Sequence, residues 1–72
     1  MKKCYFRIEY GVPGYRSAKD VIVAVTAQEG LSTVEMAKIA IEKLEEIIGE
    51  KVNVLRYNKM PSNYKPKGDE IE

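Results

Sequence analysis

Histidine and tryptophan are absent from the 72 residues, and cysteine occurs once. Without imidazole the chain lacks the commonest general base and the commonest metal ligand at neutral pH. One cysteine cannot close an internal disulfide, so the core is unstapled, which fits a reducing compartment. No apolar run approaches the roughly 18 residues of a membrane span, and Arg7 and Glu9 interrupt the start of the chain. The expectation is a cytoplasmic chain with neither signal peptide nor membrane anchor. Charge of one sign is also lacking: 12 Lys+Arg stand against 11 Asp+Glu, a formal +1. That balance gives no bulk argument for nucleic acid or membrane. A content of 44% hydrophobic and 32% charged residues excludes a wholly disordered chain. The length allows one domain with one modest core.

What is present begins with an alternation. Cys4, Phe6, Ile8, Tyr10 and Val12 fall every second residue, the period of a strand with one buried face. Gly11-Val12-Pro13-Gly14 supplies turn chemistry, because proline presets φ and glycine accepts a positive one. The β-branched run Val21 to Thr26 predicts a second strand. A two-residue turn at Pro13-Gly14 would set Ile8 opposite Lys19. A longer connection sets Ile8 opposite Val21, Phe6 opposite Val23 and Cys4 opposite Val25, matching apolar to apolar. The expectation is therefore a loop of about eight residues, or a bulge, holding Tyr15, Arg16 and Lys19.

Ser32-Thr33-Val34-Glu35 is a capping box, with Leu31 and Met36 at the positions of a hydrophobic staple. Val34, Ala37, Ile41, Leu44 and Ile48 recur at helical spacing, flanked by Ala40 and Ile47, and Gly49 stands where a left-handed cap is expected. Glu35, Lys38, Glu42 and Glu45 fall on the wet side. Val52 to Tyr57 reads as a third strand, with Val52 and Val54 inward and Asn53, Leu55 and Tyr57 outward. The fold class is α+β: a β-β-α-β domain over residues 1–58, with a three-stranded antiparallel sheet in order 2-1-3 and one helix on one face. Residues 59–72 contain Pro61 and Pro66 and no period, and read as an extended, mobile tail.

Function is expected on the sheet face that the helix leaves open. Alternation puts Tyr5, Arg7, Ile22, Leu55 and Tyr57 there, a more apolar outer face than a half-buried sheet usually shows. Two other arrangements compete: the tail folds over this face with Tyr64 or Met60 on it, or the third strand presents its other side. Charge is segregated, with two lysines against six glutamates in residues 29–50, a balance of −4, set against +3 in residues 1–28 and +2 in residues 51–72. The first functional expectation is a protein-binding surface, toward a second copy or a larger partner, centred on Tyr5, Arg7, Ile22, Leu55 and Tyr57. The second is a single-stranded nucleic-acid platform, where Tyr5 and Tyr57 stack bases while Arg7, Arg16, Lys19, Arg56 and Lys59 hold phosphates.

Enzymatic readings lack their groups. Cys4 has no histidine to activate it and sits in the core alternation, and Ser17, Ser32 and Ser62 have no base. Glu42, Glu45 and Glu46 crowd one helical turn without a pocket, and Gly11, Gly14 and Gly30 form no phosphate loop. No catalytic residue, metal site or cofactor is assigned. In plan the chain resembles small phage-encoded proteins of one sheet and one helix, including some anti-CRISPR inhibitors, which implies stoichiometric occupation of a partner's surface. The opening strand Tyr5-Phe6-Arg7-Ile8-Glu9-Tyr10, followed by a strand and a helix, is similar to the antitoxin domain of HicB type. Here the proline-glycine loop precedes the second strand rather than following it, and no site residue is carried over.

Overall fold

Side chains that alternate along an extended strand separate into two faces, and the first strand divides cleanly. In the computed structural model, which describes residues 2–14 and 17–72, β1 spans Lys3–Gly11 and buries Phe6, Ile8 and Tyr10 while Arg7 stays exposed. β2 (Lys19–Thr26) pairs with it antiparallel, with Ile8 opposite Val21, Phe6 opposite Val23 and Cys4 opposite Val25. This is the longer-loop register that the apolar matching favours. Gly14 turns the chain at a φ of 92°. Lys19 does not lie in the loop: it is the first residue of β2, opposite Tyr10. Tyr15 and Arg16 lie outside the described residues.

The helix α1 spans Thr33–Ile48. Ser32 caps it, its Oγ accepting from the Glu35 N–H at 3.2 Å and donating to Glu35 Oε1 at 3.2 Å. Gly49 closes it in the left-handed region at a φ of 88°, its N–H donating to the Glu45 carbonyl at 2.8 Å. The buried stripe is Met36, Ala37, Ala40 and Leu44, with Ile41 and Ile48 half-buried beside it. Val34, expected in the core, is 53% exposed, and Ile47 is 62% exposed. The reason is rotation: Met36 rather than Val34 turns inward, which moves Val34 to the helix flank.

Two polar contacts orient α1 across the sheet. Lys43 Nζ donates to the Ala24 carbonyl of β2 at 3.1 Å. On the other flank, Glu45 Oε2 accepts from the Val52 N–H at 3.0 Å, just before the third strand. Glu45, expected on the wet side, is therefore half-buried and fixes the α1–β3 connection.

β3 (Asn53–Lys59) pairs antiparallel with β1, giving the order β2-β1-β3. Its register is broken: Tyr10 faces Val54, but Glu9 faces Arg56, so Leu55 is an extra residue in the strand. Beyond it the alternation is inverted. Tyr57 stands opposite inward-facing Ile8, whereas Arg56 and Asn58 stand opposite Glu9 and Arg7. Val52 and Val54 do pack against the core as expected. Tyr57 does not point outward with Arg7, because one added residue shifts a period of two by one step.

The core holds Phe6, Ile8, Val23, Val25 and Leu44 between α1 and the sheet. Phe6→Ala is expected to cost about 3–5 kcal/mol in urea denaturation, a large share of the stability of so small a domain. Deleting Leu55 keeps both the Tyr10–Val54 and Glu9–Arg56 pairs in one continuous register, so that variant should fold and lose much less than Phe6→Ala. A deletion that unfolds the protein would show that the bulge is required for folding.

Candidate interaction surface

The outer face of the sheet is not bare. Met60 continues the β1–β3 ladder, its N–H donating to the Tyr5 carbonyl at 2.7 Å. A turn follows, with the Tyr64 N–H donating to the Pro61 carbonyl at 3.0 Å. It sets the Tyr64 ring over Tyr5 at a centroid distance of 5.1 Å and a tilt of 51°, a geometry favourable to aromatic pairs. The chain then reaches the far side of the sheet, where Ile71 forms a parallel bridge with Val23 of β2. The Ile71 N–H donates to the Ile22 carbonyl at 2.9 Å, and the Ala24 N–H donates to the Ile71 carbonyl at 2.7 Å. Ile71 also packs against the core. Both arrangements that competed from sequence are found in part: Tyr64 lies on the outer face, and past the bulge the third strand presents its other side.

Glu70 organises this crossing. Its carboxylate accepts from the Tyr64 hydroxyl at 2.5 Å, from the Lys67 N–H at 2.8 Å and from the Gly68 N–H at 2.9 Å. The tyrosine hydrogen bond, and then the backbone donors, hold the Glu70 carboxyl down at about 2. The same contact pushes the Tyr64 phenol up to about 12. At the end of the chain, Lys3 Nζ meets Glu72 Oε1 at 2.7 Å, which raises the lysine's pKa.

Residues expected to share one patch are thereby separated. Tyr5 is half-buried under Tyr64. Arg7 is exposed but paired, its Nη2 donating to Asp20 Oδ2 at 2.8 Å, which raises the guanidinium's already high pKa. Ile22 is half-buried and its carbonyl is taken by Ile71. Leu55, 59% exposed, lies on the bulge, and Tyr57, 39% exposed, shares the helix side of β3 with Ile8. Of the basic candidates, Arg56 lies on the outer face around a shallow depression with Arg7, Glu9 and Asn58. Lys59 instead lines a cleft of about 320 Å³ with Lys2, Lys3, Tyr5, Met60 and Tyr64. Arg16 lies outside the described residues.

The two edges of the sheet differ in kind. Along an antiparallel strand, backbone groups point alternately to one neighbour and to the other. On β2 the outward groups include the Ile22 carbonyl and both groups of Ala24. Ile71 takes the Ile22 carbonyl and the Ala24 N–H, and Lys43 takes the Ala24 carbonyl. On β3 the Met60-to-Tyr5 bond fixes the parity: Asn58 and Arg56 turn toward β1, and the N–H and carbonyl groups of Tyr57 and Lys59 turn away. Beside them runs the α1 flank that holds Glu45. Val34, Ile41 and Ile48 fall within about 60° of Glu45 around the helix axis, so exposed Val34 and half-buried Ile41 share the flank of α1 that Glu45 occupies.

Ile71, Glu70 and Val34 are the residues that sequence reasoning missed here. A lone isoleucine in a charged segment was the available signal for the first. Among the described residues no acidic or cysteine cluster suits a metal ion, and no helix is long and apolar enough to cross a membrane. The chain matches no protein family, no curated protein and no solved structure.

The Glu70 cluster has a defined pH signature. Because the folded carboxyl is held below its ordinary value near 4.5, its stabilising contribution is complete above that value and is lost as pH falls toward about 2. Thermal melts of Glu70→Gln should therefore lie below those of the native chain at pH 7 and converge on them between about pH 4.5 and pH 2. A gap that persists unchanged at pH 2 would assign the effect to something other than this carboxylate.

Proposed function

We propose that the chain is a small non-catalytic protein-interaction module that works through the β3 side of its sheet, occupying a partner's surface stoichiometrically. One observation carries this reading: the tail and Lys43 cover the β2 edge at Ile22 and Ala24, while β3 keeps outward backbone groups with Leu55 and Tyr57 exposed beside them. Unpaired strand edges are templates for association, and exposed aromatic and aliphatic side chains next to one supply the apolar part of a contact. The outer face contributes less than alternation alone suggests, since Tyr64 lies over Tyr5 and Asp20 engages Arg7. The acidic side of α1, with Glu35, Glu42 and Glu46 exposed, points away from this surface and keeps the wet face soluble.

Single-stranded nucleic acid is the second reading, supported by the cleft in which Lys2, Lys3 and Lys59 surround Tyr5 and Tyr64. In that case binding of a short oligonucleotide should weaken steeply as salt rises, whereas a largely apolar protein contact should not.

The first reading is tested in cells with a photo-crosslinking residue placed at Leu55 and, separately, at Glu42 on the wet face of α1. Leu55 should yield one dominant adduct and Glu42 none. Equal labelling at both positions, or labelling at neither, would contradict a β3-side interface.

A further inference from the structure

We infer that the β3 edge takes an extended acidic segment of a partner as an added strand, bound through the backbone of Tyr57 and Lys59. This rests on reading β3 as the working side and adds the conformation and charge of what binds there. The backbone argument comes first. Tyr57 and Lys59 each turn one N–H and one carbonyl outward, two residues apart, which is the spacing at which a neighbouring strand is hydrogen-bonded. These four groups match a strand rather than a helix, whose own N–H and carbonyl groups are already satisfied internally.

Charge then selects among strands. β3 reads Asn53-Val54-Leu55-Arg56-Tyr57-Asn58-Lys59 and carries two cations and no carboxylate. Arg56 lies on the outer face across from Glu9, and Lys59 stands opposite Phe6 at the end of the strand, so the cations of this edge belong to β3 and the facing carboxylate to β1. A second copy gains nothing from these cations, because pairing Tyr57 with Lys59 across two antiparallel copies sets Arg56 opposite Met60 and brings no carboxylate to either cation. An acidic segment supplies the missing opposite charge. Apolar specificity comes from the helix face, where Tyr57 is exposed. The segment that fits alternates apolar residues toward Tyr57 with carboxylates toward Arg56.

The test uses the full chain, labelled with nitrogen-15, and two seven-residue probes of alternating Val and Glu or alternating Val and Lys. The Val-Glu probe should slow exchange of the Tyr57 and Lys59 amides at least tenfold at millimolar concentration. The Val-Lys probe should not, and Arg56→Glu combined with Lys59→Glu should invert the preference between probes. No slowing of these two amides by the Val-Glu probe, or equal slowing by both probes, overturns the proposal. Slowing that appears without probe and grows with protein concentration also overturns it, in favour of a second copy. Any of these results alongside a specific Leu55 crosslink would leave the β3-side interface standing and remove only the acidic strand.

Discussion

An antiparallel sheet of three strands has two edges, and every outward backbone group on them must be met by water or by a partner. The rest of this small protein is arranged around an unequal answer to that constraint. At β2 the chain supplies its own partner: Ile71 exchanges hydrogen bonds with Ile22 and Ala24, and Lys43 reaches from α1 to the remaining Ala24 carbonyl. Placing Ile71 there requires the tail to cross the outer face, and that crossing is what brings Tyr64 onto Tyr5 and gathers Lys67, Gly68 and Tyr64 around the Glu70 carboxylate. No equivalent closure is found at β3 among the described residues. Cover of the β2 edge at Ile22 and Ala24 and cover of the outer face are two consequences of one segment.

A single residue decides which side chains accompany the open edge. Without Leu55 as an insert, the β3 alternation set by Val54 would be carried through by Arg56 and leave Tyr57 on the outer face. With it, Tyr57 joins the helix side, while Arg56 and Asn58 face outward across from Glu9 and Arg7. A bulge also twists and interrupts an edge, which discourages indiscriminate pairing along its whole length. The near-neutral net charge conceals a related division. Glutamates dominate the residues of α1 and its flanks, and cations dominate β3, so the two sides of the molecule carry opposite sign.

Much of the fold was legible because its signals are local or redundant. The β1 alternation and the β-branched β2 run together fix a register in which apolar meets apolar, and the observed pairs follow it. Ser32 with Glu35 at one end of the helix and Gly49 at the other bound it within a residue. The order β2-β1-β3 follows from placing the most regular apolar strand in the middle. The candidate surface was less legible, for physical reasons. In Val52 to Tyr57 apolar residues occur in both phases, so alternation is compatible with a bulge or without one. On α1, Val34 and Met36 are both apolar and lie on different sides of the axis, so composition could not choose between them. The tail contacts join Tyr64 to Tyr5, Ile71 to Val23 and Glu72 to Lys3, separations across most of the chain with no periodic trace.

Native-state hydrogen exchange of the free chain addresses the inequality of the two edges most directly. The Ala24 and Ile71 amides should be protected, together with the inward amides Arg56 and Asn58. At low protein concentration the Tyr57 and Lys59 amides should exchange near the rate of an unstructured peptide. Rapid exchange at Ala24 and Ile71, or protection at Tyr57 and Lys59 in the dilute free chain, would contradict a sheet covered at Ala24 of β2 and open at Tyr57 and Lys59 of β3.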